Sequence, residues 1–220
     1  MVTGMLLVAA AVVIAVTAIR SHRQEGSPFV ARLAELAGML GGRHVTEGTT
    51  GRAIGVHRGV TLVHHLVKLT AALTEWTEIE VPGLDGISLS LAVQSRLGYE
   101  RPRIAIGRPQ ALSLGDPAFE DVFEVAGAPR ELVDRVLTRE VRGYLCGLDR
   151  ERGVKLELEA IRDQCMRLTL RGWVVDPELA RAAWDALVAV RAAACKAHEI
   201  GDGYRARPDT AARRTGWKRG

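Results

Sequence analysis

The chain has 220 residues and a formal net charge of +4. Its three cysteines, Cys146, Cys165 and Cys195, are odd in number and widely spaced, which excludes a disulfide framework and fits free thiols in a reducing compartment. Only four of its 30 basic residues are lysine, a bias that accompanies Ala- and Gly-rich coding from a GC-rich genome, so arginine content is no argument for nucleic acid as a partner.

Residues 2–19 (VTGMLLVAAAVVIAVTAI) carry no charge. At about 1.5 Å per residue this run spans roughly 27 Å as a helix, close to the hydrocarbon thickness of a bilayer. A buried soluble helix would show a polar stripe, and none is present. A signal peptide needs a basic segment before the apolar run, which is missing; Val16-x-Ala18 marks where cleavage would fall in that competing reading, which ends in export. Residues 1–20 therefore read as a single-pass transmembrane anchor. Arg20, Arg23 and Arg32 follow it and no basic side chain precedes it, so the rest of the chain is expected at the cytoplasmic face of the cell's inner membrane.

A polar linker, 21–27, comes next. Ser27 and Pro28 then form a helix start, Ser as cap and Pro in the first turn. Phe29, Leu33, Leu36 and Leu40 recur at helical spacing, and Gly41-Gly42 ends the element. Its polar face is not strongly basic, so it is expected to pack on its own domain rather than on lipid. From Gly51 to Val93 the pattern is β, with strands expected at 52–58, 60–69, 72–81 and 86–93. In the last, Ile87, Leu89, Leu91 and Val93 alternate with Ser88, Ser90 and Ala92. Residues 94–115 read as loop, with an extended piece at 102–106.

Gly115 to Val125 (GDPAFEDVFEV) reads as a short capped helix running into a strand. Asp116 suits the cap, Pro117 presets the first backbone angle, and Glu120 and Asp121 lie where a helix dipole favours acids. Phe119 and Phe123, four apart, both point to the core. Two helices follow, at 130–137 and 139–149, the second capped by Thr138. A hairpin comes next: Val154, Leu156, Leu158 and Ala160 on one strand, Met166, Leu168 and Leu170 on the other, with charged residues outward to pair across the strands. Asp176-Pro177 opens the longest helix, about 177–199. These elements predict an α+β class: one domain over 28–200, an antiparallel sheet covered by helices, and a long C-terminal helix. Residues 201–220 read as a basic, disordered tail. It holds six basic residues against two acidic, a surplus equal to the net charge of the whole chain.

Three segments carry a likeness to known sequences: Leu40-Gly41-Gly42-Arg43, Gly115 to Pro129 in the form G-D-P-x-F-[DE]-x-x-F-x-V-x-G-x-P, and Leu137-Thr138-Arg139-Glu140-Val141-Arg142. Together they resemble an uncharacterised bacterial family of membrane-anchored proteins, a domain of unknown function, over about residues 36–195. Glu120 stands where that family often carries Asp. The resemblance implies a fold beside a membrane anchor and brings no catalytic residue with it.

Asp116, Glu120 and Asp121 are the candidates for a hard-metal site or an acid–base pair, and capping accounts for the same residues. His64 and His65 are neighbours on a strand and point to opposite faces, so they cannot chelate one ion together. The cysteines lack zinc spacing. No Walker loop, dinucleotide fingerprint, nucleophile elbow or H-E-x-x-H helix is present, and no cofactor is expected. In the tail, Arg213, Arg214, Trp217, Lys218 and Arg219 place an aromatic among cations, a combination suited to an anionic membrane surface. The leading expectation is a non-enzymatic domain acting through protein or lipid contacts; the alternative is a membrane-tethered enzyme built on Asp116, Glu120 and Asp121.

Overall fold

The computed structural model describes residues 28–47, 50–69, 74–82, 89–96, 111–161 and 165–205. The expected anchor, the linker, the extended piece at 102–106 and the chain beyond Arg205 lie outside the described residues. Helix α1 (Pro28–Met39) leads into strands β1 (Arg43–Glu47), β2 (Thr50–His57), β3 (Val60–Leu69), β4 (Thr74–Pro82) and β5 (Ser90–Ser95). Helix α2 (Pro117–Glu120), strand β6 (Phe123–Ala128) and helices α3 (Arg130–Val136) and α4 (Arg139–Cys146) follow, and α4 continues as one π-helical turn, Gly147–Glu151. Strands β7 (Leu156–Ile161) and β8 (Cys165–Arg171) and helix α5 (Pro177–Arg205) complete the domain.

All eight strands form one antiparallel sheet in the order β1-β2-β3-β4-β8-β7-β5-β6, with helices packed on one face, which is the expected α+β arrangement. Register explains the division of faces. Ala53, His64, Ile79, Leu168, Leu158, Val93 and Val125 lie opposite one another in a single row across seven strands, and every one is buried. One residue along, the row is Arg52, His65, Glu78, Thr169, Glu157, Gln94 and Glu124, on the face away from the helices. The period of two in a strand separates these rows. Alpha-helix α5 turns Ala180, Ala183, Trp184, Ala186, Leu187, Val190 and Ala194 inward, and its alanines let it lie close to the sheet.

Helix α1 packs on its own domain, with Leu33, Leu36, Ala37 and Leu40 buried. Gly41, at φ +59°, ends it in the left-handed region that favours glycine. The Leu40 carbonyl accepts from Val56 N at 2.8 Å, so α1 sits hard against β2. A methyl group on Gly55 would lie 2.5 Å from the Leu40 oxygen and from its Cβ. Gly55→Ala is therefore expected to lower the stability by about 1–3 kcal/mol, read as a lower urea midpoint. An unchanged midpoint would mean that α1 can shift at no cost.

Several sequence expectations need correction. Strand β1 lies in a stretch to which the sequence assigned no element, because its single apolar residue, Val45, sets up no visible alternation. Of the strand expected at 86–93, residues 86–88 lie outside the described residues; β5 runs from Ser90 to Ser95, two residues past the expected end, and Leu89, Leu91 and Val93 point inward. The short helix running into a strand is as expected: Phe119 in α2 and Phe123 at the start of β6 are both buried, with ring centroids 4.8 Å apart. The outward charges of the last hairpin do not pair only within it. Arg167 lies opposite Glu159 in register, yet its guanidinium reaches across to Glu80 on β4 at 2.7 Å. Helix α5 runs to Arg205, through Gly201 and Gly203, where the tail was expected to have begun.

Candidate functional site

The acidic turn at 113–123 is the strongest sequence candidate for chemistry. Asp116 caps α2, its Oδ1 accepting from Phe119 N at 3.2 Å. Its other oxygen receives Arg142 Nη1 from α4 at 2.7 Å. The Glu120 side chain folds back over the turn. One of its oxygens accepts from the backbone N–H of Leu114 at 2.6 Å, of Gly115 at 2.9 Å and of Asp116 at 3.3 Å, and the Ser113 hydroxyl donates to both of its oxygens. These bonds, the Leu114 N–H first, hold the Glu120 carboxyl below its ordinary value against a smaller opposing effect of desolvation. Because hydrogen bonding favours the ionised form, the clasp is complete above the ordinary carboxylate range and is lost as the pH falls through the lowered value. Asp121 is exposed where α2 ends.

Arginines surround this turn and take up its carbonyls. Arg96 Nε donates to Glu120 O at 2.6 Å, Arg150 Nη2 to Ala118 O at 2.7 Å, and Arg130 Nη2 to Ser113 O at 2.7 Å. With Arg142 on Asp116, four guanidinium groups offset the charge of the turn and tie it to the end of β5, to α3, to α4 and to the π-helical turn. A general acid or base needs a proton in reach of a substrate and a pKa near the working pH. Glu120 is pushed the other way, and Asp116 is spent on a cap and an ion pair. Among the described residues no group of three or more His, Cys, Asp or Glu is placed to hold a metal.

The three motif segments singled out in the sequence resolve into joints of the fold. Leu40 to Arg43 is the corner from α1 into β1. Gly115 to Pro129 is the clasped turn and β6. Leu137 to Arg142 caps α4, with Val141 N on Thr138 Oγ1 at 3.3 Å, and delivers Arg142 to Asp116.

Two polar constellations escaped the sequence reading. Asp149, in the π-helical turn, is 5% exposed; it accepts Ser95 Oγ at 2.5 Å and pairs with Lys155 Nζ at 2.7 Å. Ser95 in turn accepts from Leu156 N at 3.0 Å. The second joins the β2–β3 hairpin to α5: His57 Nε2 lies 2.6 Å and Arg58 Nε 2.9 Å from Asp185 Oδ1. Arg58 and Gly59, at φ +48° and +78°, make the two-residue turn of that hairpin, and the ion pair to Asp185 offsets the strain of an arginine there. Behind them His64 is fully buried between Val174 O and the Trp184 indole. Asp149 and Lys155 are six residues apart, but the other partners lie 54 to 128 residues apart, so local spacing could not reveal either constellation. His65 is on the opposite face from His64, as strand geometry requires.

A surface groove of about 380 Å³ opens between α4, the π-helical turn and α5, lined by Glu140, Tyr144, Leu148, Glu151, Arg152 and Ala182; none of the three candidate carboxylates faces it. The cysteines are free and partly buried, and burial pushes the Cys146 and Cys165 thiols up, away from the reactive thiolate form. Trp76 and Trp184 are buried and Trp173 packs on Phe29 with ring centroids 4.9 Å apart. Arg213, Arg214, Trp217, Lys218 and Arg219 lie outside the described residues. Among the described residues no helix is long and apolar enough to cross a membrane; residues 2–19 are not among them. Comparison of the chain with family models, with curated proteins and with solved structures finds no match.

Proposed function

We propose that this chain is a membrane-tethered, non-enzymatic domain that works through contacts with protein or lipid at the cytoplasmic face of the inner membrane. The observation that carries the reading is the use made of the acidic turn. Asp116 and Glu120 are consumed by backbone N–H groups and arginines of the same domain, so the chemistry nearest to hand is structural. The uncharged run at 2–19 supports the tether, and the arginines that follow it support the cytoplasmic side. The basic tail supplies a second contact with anionic lipid, at about 1 kcal/mol per basic residue near such a surface.

The tether is tested by fractionating cells that make the full chain. It is expected to sediment with membranes, to resist an alkaline wash, and to be digested by protease only in inside-out vesicles. Recovery of a soluble form cleaved near Ala18 would overturn it. The lipid contact is tested by removing residues 206–220 and measuring binding of the protein to anionic vesicles across salt. A loss of about tenfold at low salt is expected, and equal binding by both forms would discard the lipid role of the tail.

A further inference from the structure

We propose that β1 is a homodimer edge, along which a second copy of this chain adds its own β1 to continue the sheet. The inference uses only β1 and β2 and stands whether or not the anchor reading holds. It begins with which backbone groups are free. On β2 the Val56 N–H points away from β3 and donates to Leu40 O, so even-numbered residues of β2 face β1. Arg43, Val45 and Glu47 lie opposite Ile54, Arg52 and Thr50, and are therefore the residues of β1 whose N–H and C=O turn toward β2. His44 and Thr46 alternate with them, so their N–H and C=O groups point outward. Among the described residues no strand pairs with that outer edge. The opposite edge of the sheet, β6, is partly taken: Ala111 bridges to Ala126, and Leu112 N donates to Val125 O at 2.8 Å.

The side chains of β1 then select the partner and its register. Arg43-His44-Val45-Thr46-Glu47 is self-complementary when it is laid antiparallel on itself about Val45. His44 meets Thr46 of the second copy in both halves, and these are the outward residues, so each pair exchanges two N–H···O bonds. Val45 meets Val45, and Arg43 meets Glu47, as non-hydrogen-bonded pairs, the kind in which side chains approach most closely. Both ion pairs fall on the face away from the helices, beside Arg52, which already holds Glu47 at 2.9 Å. A dyad through His44 would set Arg43 against Val45, and one through Thr46 would set Glu47 against Val45. Either leaves the charges without mates. The self-complementary contact closes on two copies, as a twofold edge must, and does not propagate.

The test is a cross-link at the dyad in the full chain, in membranes. Val45→Cys is made in a background where Cys146, Cys165 and Cys195 are replaced by serine. The Val45 pair would have its Cα atoms about 4.5 Å apart, within disulfide range, so mild oxidation is expected to give a covalent dimer. Thr46→Pro removes an outward N–H that has no partner strand among the described residues, and is expected to abolish the cross-link while leaving the thermal melt in place. A second readout needs no cysteine. Arg43→Glu and Glu47→Arg are each expected to weaken self-association by about tenfold, and an equimolar mixture of the two to restore it as a heterodimer, because both ion pairs re-form between unlike copies. A wild-type chain that stays monomeric at every concentration overturns the proposal. So does a dimer that is indifferent to Thr46→Pro and to both charge reversals.

Discussion

Asp149→Ala is expected to lower the stability of the domain by about 3 kcal/mol, the low end of the range for breaking a buried ion pair. The carboxylate is all but inaccessible, and three elements meet on it: the end of β5 through Ser95, the π-helical turn that carries it, and the approach to β7 through Lys155 and Leu156 N. Removing it strands a buried hydroxyl and leaves an ammonium without its partner. The Lys155 side chain is 30% exposed and can turn to water, which is why the low end applies. Asp149→Asn keeps the volume and an acceptor but not the charge, and is expected to cost about 1–2 kcal/mol. Urea denaturation of both variants measures this. If Asp149→Ala costs no more than Asp149→Asn, the charge contributes nothing and the site is merely a filled space.

A drop in stability between pH 7 and pH 4 is the second expected result, and His64 is its source. The ring is fully buried, with Nε2–H directed at Val174 O at 3.1 Å and Nδ1 accepting from Trp184 Nε1 at 3.0 Å. A second proton would have to go on Nδ1, facing an indole N–H, on a fully buried ring. Burial above all lowers its pKa from 6.5 to about 4; the Val174 carbonyl pulls weakly the other way and the nearby His65 adds a little to the fall. The unfolded chain therefore takes up this proton near pH 6.5 and the folded one only near pH 4. Stability is full above pH 6.5 and declines as the pH falls through that window, by about 3 kcal/mol for this one group. His64→Gln can keep a donor and an acceptor but cannot charge. Its stability at pH 7 is expected to be lower, and the slope between pH 7 and pH 4 to flatten by the His64 share. Parallel slopes in the two proteins would refute the assignment.

Where the sequence was legible, the reason was local. The alternation in Leu156 to Ala160 and Met166 to Leu170 needs only the pleat of a strand, and the caps at Asp116 and Thr138 need only the free N–H groups of a helix start. It failed where an inward position is polar because its partner is distant in sequence. Ser95 is the last inward residue of β5, and a reading by hydrophobic alternation stops two residues short, at Val93. His64 and Thr77 point inward in the same way; Thr77 Oγ1 donates to Gly172 O and accepts from Val174 N. The acidic turn was legible as a cap but not as a clasp, because the arginines that neutralise it come from residues 96, 130, 142 and 150. The end of α5 was missed for another reason. Two glycines cost a helix about 1 kcal/mol each, but elongating a helix already formed is far easier than starting one.

The joint between β4 and β8 bears on how the chain is made. Strands β1 to β4 are consecutive hairpins and can pair as soon as each is synthesised. The outer edge of β4 is different, because its partner lies 95 residues further on, with Trp76 opposite Arg171. At roughly 5–20 residues per second, translation leaves that edge open for roughly 5–20 s. During this time a four-stranded meander presents a row of unpaired backbone groups flanked by Ile79 and Val81, the surface that a nascent chain must keep from other strands. Closing that long loop is the step expected to limit the folding rate.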